Sequence, residues 1–205
     1  MKQLIITFLC LIPYFVFGQQ VTKQFYPNGN LKSEGVLIDG FEEGKWNYYY
    51  SDSSLNATLI YQDGNLNGIC KQFHPSGNLK SIENYDTSVL TGSAFYYYES
   101  GKLKRKGIYH NDLYKGIWLT YYESGILKNK GIYENGLPQD TWQFYDYKGV
   151  LSDEIVYQKG KKHGKYVLYS KKGKKMIEGQ YQNDEKKGTW IIYNKRGKKK
   201  KEEIF

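Results

Sequence analysis

Apolar and polar positions along this chain recur every 24 residues. One aromatic column runs Phe25, Tyr49, Phe73, Tyr97, Tyr121, Tyr145, Tyr169 and Tyr193. A second runs Tyr61, Tyr85, Tyr109, Tyr133, Tyr157, Tyr181 and Phe205, opened by Leu37. All four tryptophans, Trp46, Trp118, Trp142 and Trp190, share a third column that Cys70, Ala94 and Tyr166 complete. Leu31, Leu55, Leu79, Leu103, Leu127 and Leu151 form a fourth. Two glycine columns keep the same register. Gly29, Gly77, Gly101, Gly125, Gly149, Gly173 and Gly197 are interrupted by Ser53, while Gly44, Gly68, Gly92, Gly116, Gly164 and Gly188 are interrupted by Asp140. A fixed period held without insertion from Phe25 to Phe205 is the signature of a repeat architecture.

Short runs of aromatic and β-branched residues bounded by Gly, Asn, Asp and Ser read as strands joined by turns. Each unit therefore predicts two strands, for example 117–122 and 126–133, joined by Glu123-Ser124-Gly125, whose glycine supplies the positive φ of a tight hairpin. A return turn such as Glu134-Asn135-Gly136-Leu137-Pro138 leads to the next unit, and Pro138 is expected within that turn. At Asp140, and at Ser88 in a return turn, a residue other than the usual one leaves the local geometry open. The predicted fold class is all-β: an elongated, twisted antiparallel sheet of tandem 24-residue β-hairpins with no substantial helix beyond the leader. Parity leaves the buried face open, because Trp118 and Tyr122 point one way and Tyr121 the other.

The first 18 residues break the pattern. Lys2, an apolar run from Leu4 to Phe17 and Gly18 before Gln19 read as a secretory signal peptide cleaved after Gly18. The run is shorter than the ~20 residues a membrane-spanning helix needs. The domain reading is thus a signal peptide at 1–18 and a repeat array at 19–205 of about eight units, the first and last incomplete. The expected location is the periplasm or the exterior. Cys70 is then the only cysteine of the mature chain, which leaves no internal disulfide to support the fold.

Charge changes the picture of the C-terminal quarter. Residues 19–157 hold 13 basic and 16 acidic side chains, whereas 158–205 hold 16 basic and 5 acidic. Lysines at 171–175 and 198–201 could attract anionic lipid or polysaccharide, and equally serve to protect an exposed sheet edge from aggregation. Tyr50, Tyr98 and Tyr122 stand in a column that elsewhere holds His74, Asp146, Ser170 and Asn194. That variability suggests a surface position. The candidate binding surface is therefore Tyr50, Tyr98, Tyr122, Lys171, Lys172, Lys198, Lys199, Lys200 and Lys201.

Nothing in the pattern points to catalysis. His74, His110 and His163 fall at different places in their units and share no ligand spacing. Cys70 reads as a small apolar filler in the tryptophan column. Paired carboxylates such as Glu42-Glu43 are adjacent in a strand and point to opposite faces. No catalytic residue, metal site or cofactor is expected, nor is nucleic acid as a partner.

The segment Tyr109-His110-Asn111-Asp112-Leu113-Tyr114-Lys115-Gly116-Ile117-Trp118-Leu119-Thr120-Tyr121, and the matching one from Tyr133 to Tyr145, resembles MORN repeats. The likeness is to the bacterial variant, whose units read roughly Tyr-Tyr-x-x-Gly-x-Leu-Lys followed by Gly-x-Tyr, and it extends from Phe25 to Phe205. The resemblance implies an extended sheet of stacked hairpins used for protein contact, scaffolding or attachment near membranes, and an antitoxin-type role for some members. The expected function is a non-enzymatic, exported scaffold with a protein partner. Binding of anionic envelope lipid or polysaccharide, and an antitoxin or immunity role, stand as alternatives.

Overall fold

Alternating turn types convert the repeat into a meander. The computed structural model describes residues 21–205, so the signal-peptide reading of 1–18 lies outside the described residues. The strands are β1 (Val21–Phe25), β2 (Leu31–Ile38), β3 (Phe41–Tyr49), β4 (Leu55–Gln62), β5 (Asn65–Leu66), β6 (Gly68–Phe73), β7 (Leu79–Asp86), β8 (Val89–Tyr97) and β9 (Leu103–His110). They continue as β10 (Leu113–Tyr121), β11 (Leu127–Glu134), β12 (Leu137–Tyr145), β13 (Leu151–Gln158), β14 (Lys161–Tyr169), β15 (Lys175–Gln182), β16 (Glu185–Tyr193) and β17 (Lys199–Ile204). Sequence neighbours pair antiparallel throughout, with β4 taking β5 and then β6 as one interrupted partner, to give a single open sheet.

The return turns are two-residue hairpins with both central residues at positive φ, as at Asp39-Gly40 (52° and 87°), Asn135-Gly136 (50° and 79°) and Asn183-Asp184 (51° and 74°). This is the type I′ geometry, whose twist matches that of the flanking strands. Thr87-Ser88 adopts it too, at 49° and 64°, so the serine keeps the turn. Asp140 likewise holds a φ of 57° where other units have glycine. Asp tolerates this left-handed region through its short polar side chain. Pro138 is placed differently from expectation. The turn is so short that Pro138 already lies in β12, paired with Tyr133. At the same place in other units the N–H of Leu66, Leu90 or Lys162 donates to the side chain of Ser88, Asp112 or Asp184 rather than to a ladder carbonyl, so proline removes no strand–strand bond.

Every unit also carries a wide irregularity that decides which face is buried. Between the pairs Glu34↔Asn47 and Val36↔Glu43, one residue of β2, Gly35, faces three of β3, Gly44 to Trp46. The positive φ of Gly44 (66°) ejects the extra residues and bends the strand. Trp46 then folds across the bare backbone of Gly35: a Cβ there would sit 2.2 Å from the indole. Its Nε1–H donates to the carbonyl of Val36 at 3.0 Å. The same device recurs as Trp118 on Gly107, Trp142 on Gly131 and Trp190 on Gly179, with indole bonds of 3.1 to 3.2 Å to Ile108, Ile132 and Gln180.

The tryptophan face is the core. Trp46, Cys70, Ala94, Trp118, Trp142 and Trp190 are buried in one line. The second aromatic column packs edge-on against it, with Tyr109 and Tyr133 at 5.1 Å and 6.5 Å from Trp118 and Tyr133 at 5.0 Å from Trp142. Edge-to-face contacts of this kind add to simple burial. The opposite face carries the first aromatic column as a polar brace. Tyr49, Tyr169 and Tyr193 donate to Glu34 (2.8 Å), Glu154 (2.6 Å) and Glu178 (3.1 Å). There Val167, paired with Glu154 and Glu178, is also fully buried.

Candidate functional site: the hairpin edge

The three-residue hairpins of the Gly29 and Gly125 type line one edge of the sheet, and the tyrosines singled out above stand at their entrances. In each, the residue before the turn accepts from the glycine N–H and exchanges a second bond across the loop, as in Gly125 N to Tyr122 O and Tyr122 N to Ile126 O, both 2.8 Å. The left-handed glycine and the register slip beside it form a bulged hairpin. The ring at the entrance then reaches the next unit. Tyr26, Tyr50, Tyr98 and Tyr122 each donate their hydroxyl to a carbonyl 23 residues on, those of Tyr49, Phe73, Tyr121 and Tyr145, at 2.7 to 2.9 Å. His74 makes the equivalent contact to Tyr97 at 3.2 Å.

These rings are therefore half-buried inter-unit staples rather than exposed platforms, which corrects the surface reading of Tyr50, Tyr98 and Tyr122. Their column varies because a hairpin can be closed in two ways. At Asp146, Ser170 and Asn194 a short side chain instead caps its own turn. Asp146 accepts the N–H of Lys148 and Val150, Ser170 those of Lys172 and Lys174, and Asn194 those of Arg196 and Lys198. The side-chain oxygen replaces the ring as the organiser of the loop.

Losing the ring leaves space. A cleft of about 200 Å³ opens between the Asp146 and Ser170 hairpins, beside Tyr147 and Tyr169. A larger one of about 340 Å³ opens between the Ser170 and Asn194 hairpins, walled by Met176 and Tyr193 and surrounded by Lys171, Lys172, Lys174, Lys175 and Lys195. Of these lysines Lys175 is tied to Glu178 at 3.0 Å. Lys165 binds the same carboxylate at 3.3 Å. The Lys175 ammonium and the Tyr193 hydroxyl hold Glu178 below the usual carboxylate range. Lys171, Lys172, Lys174 and Lys195 make no ion pair among the described residues.

The other predicted cations lie elsewhere. Lys198 to Lys201 are exposed at the end of the sheet and do not line the cleft, although Lys198 closes the Asn194 hairpin that does. Lys199 pairs with Glu202 and Lys201 with Glu203 at 2.6 Å. The structure thus separates Lys171 and Lys172 from Lys199, Lys200 and Lys201 of β17. The opposite edge, along the return turns, holds an open concavity of about 770 Å³ over Leu113, Tyr114, Tyr133 and Asp140.

Inside the sheet, three units lack a tryptophan, and those of Ala94 and Cys70 show how the core adapts. Where Ala94 replaces the indole, Glu83 stands in place of the glycine. It accepts from Tyr96 at 2.6 Å and Tyr85 at 3.2 Å, and Tyr96 bridges to Tyr109 at 3.1 Å. Burial pushes the phenols of Tyr85 and Tyr109 up to about 12. Arg105 fills the adjoining space, 4.4 Å from the Tyr96 ring and 5.1 Å from Trp118, and donates to Tyr114 at 3.1 Å. Cys70 is buried as the filler expected of it, and burial raises its thiol pKa, which disfavours the thiolate needed of a nucleophile.

Four segments, residues 21–38, 66–87, 90–111 and 114–135, match the family described as MORN repeat variant. These four segments are MORN repeats of the variant type. The last three segments each run from one return turn to the next, so the family unit is one bulged hairpin, and the same strand register continues beyond them to β17. MORN repeats are a non-catalytic repeat type used for binding proteins or membranes. No curated protein sequence matches the chain. Among solved structures, a crystal structure of TcdB2-TccC3 is similar at 12% identity over 84% of this chain, with a TM-score of 0.19; the chain spans 13% of that molecule's length.

Proposed function

We propose that this protein is an exported, non-enzymatic scaffold of the cell envelope that binds a protein partner along its sheet. The observation that carries this reading is a row of exposed aliphatic side chains on the face away from the tryptophans. Ile69, Ile108 and Ile117 are 55%, 47% and 50% exposed, and in the ladders they stand beside Asn84, Ser93 and Ile132. A contiguous exposed apolar patch marks an interaction surface, and Ile108 and Ile117 on adjacent strands form its centre. Ile69 and Ile117 hold the same position two units apart, with Ile108 in the neighbouring column, and a repeat sheet offers them a stiff support for an extended partner.

The test uses the 19–205 chain as bait against envelope extract, beside an Ile69→Lys/Ile108→Lys/Ile117→Lys variant. A partner retained by the first and lost from the second supports the reading. Capture of the same proteins by both, or none by either, overturns it. Export is tested separately, by whether a reporter fused after Gly18 leaves the cytoplasm and the leader is removed.

A further inference from the structure

The basic cleft at the Ser170 and Asn194 hairpins is a different kind of surface from the aliphatic row, and its origin can be followed residue by residue. In Tyr26, Tyr50, Tyr98 and Tyr122 the ring crosses to the next hairpin and seals the edge. A ring at Ser170 following the same rule would reach the carbonyl of Tyr193, a residue that walls the cleft. The serine therefore leaves open what four other units close. Lys171, Lys172, Lys174 and Lys195 project around the opening without ion-pair partners among the described residues, and the nearby carboxylate of Glu178 is already held by Lys165 and Lys175. Met176, 43% exposed, and Tyr193 supply an apolar wall.

A concave site combining one flat apolar wall with several unpaired ammonium groups suits a ligand with a carbon face and an anionic substituent. A volume of about 340 Å³ accommodates one or two rings of a saccharide. We infer that this cleft binds an anionic sugar unit, bearing sulfate, phosphate or carboxylate, of a polysaccharide chain. The lysines of β17 take no part, since they lie outside the cleft and two of them are paired to Glu202 and Glu203.

The experiment measures binding of short dextran sulfate fragments to the 19–205 chain by calorimetry, with neutral dextran as control. Three variants separate the explanations. Lys171→Gln/Lys174→Gln/Lys195→Gln removes charge from the cleft and is expected to weaken binding by about tenfold or more, the range of one or two charge-assisted contacts. Ser170→Tyr keeps every charge but fills the cleft with a ring native to this column, and is expected to weaken binding comparably. Lys200→Gln, in β17 and outside the cleft lining, is expected to change it less than about threefold, as a screened charge should. Ser170→Tyr binding like the unchanged chain overturns the cleft. Equal affinity for neutral dextran overturns the role of charge. Binding to phosphatidylglycerol vesicles without binding to the fragments assigns the lysines to a membrane surface instead and overturns the proposal. Circular dichroism of each variant confirms that the sheet is retained.

Discussion

Replacing Gly131 by alanine tests the packing rule on which this core rests. Its φ lies outside the left-handed region, so backbone conformation alone would make Gly131→Ala stabilising by about 0.4 to 1 kcal/mol through the unfolded chain. The structure predicts the opposite sign. The new Cβ would lie 2.1 to 2.5 Å from Cε2, Cδ2 and Cζ2 of Trp142, where ordinary contact begins near 3.4 Å, so the indole must retreat by about 1 Å or more. It has little freedom to do so. Trp142 is 8% exposed, hemmed by Tyr133 at 5.0 Å, Tyr157 at 5.7 Å and Phe144 at 6.1 Å, and its Nε1–H is bonded to Ile132 at 3.2 Å. Overpacking costs about 1 to 3 kcal/mol and a lost hydrogen bond about 1 more, which gives a destabilisation of roughly 2 to 4 kcal/mol. Urea denaturation followed by fluorescence reads it. Trp142→Ala alone should cost about 3 to 5 kcal/mol, and the double variant no more than that, because the added methyl then enters vacated space. Unchanged or raised stability for Gly131→Ala, or additivity of the pair within about 0.5 kcal/mol, would refute the reasoning.

Tyr122→Phe keeps the ring and removes only the bond to Tyr145, so it should cost about 0.5 to 1.5 kcal/mol in the same assay, and no loss would argue against the inter-unit staple. Gly116→Asp should be mild, since Asp140 already adopts a φ of 57° against 65° at Gly116; Gly164→Ala, at 101°, should lower the melting temperature clearly more. On the alkaline side, burial raises Tyr85, Tyr109 and Tyr169 to about 12. The neutral phenol is the form the fold favours, so this stabilisation is complete below the ordinary 10 and disappears as pH rises through about 12. A tyrosinate absorbance titration should show an exposed set ionising before the buried set, which ionises together with loss of β-sheet signal; a single transition at 10 with the sheet intact would contradict it. On the acid side, Glu34, Glu154 and Glu178 are held low by Tyr49, by Tyr169 and by Lys175 respectively. Their stabilisation is present above the ordinary 4.5 and should fade as pH falls through their lower folded values, visible as a falling melting temperature below that point.

The period and the two turn chemistries made the strands legible from residues alone, because a left-handed glycine and a two-residue turn are local demands. The buried face was not legible, because alternation fails twice in every unit. The hairpin bulge shifts register between Thr120 and Tyr121, and the wide irregularity sets three residues against one. A signal for the core did exist in a third glycine column, Gly35, Gly107, Gly131 and Gly179, each eleven residues before a tryptophan. Its exceptions confirm it: Leu59 precedes Cys70, Glu83 precedes Ala94 and Ile155 precedes Tyr166, so the bare backbone appears only where an indole must lie on it. The tyrosines at hairpin entrances misled for the opposite reason. Variability in a column suggests solvent, but here it records an exchange between a ring that bonds the next unit and a short side chain that caps its own turn.

That exchange divides the array more sharply than the repeat does. Rings or His74 stand at the entrances up to Tyr122, and short polar residues stand there from Asp146 onward. The charge balance turns from slightly acidic to strongly basic within the same stretch, after residue 157. Neither change touches the tryptophan face, since Trp142 and Trp190 pack on Gly131 and Gly179 as Trp46 packs on Gly35. The inward positions are constrained by an interlocking pair, where one residue cannot change alone, while the entrance position can change singly because either solution closes the hairpin. New recognition surfaces on such a sheet are therefore expected at its hairpin edge, where a ring is lost and a lined cleft appears, before they are expected on the face that holds the strands together.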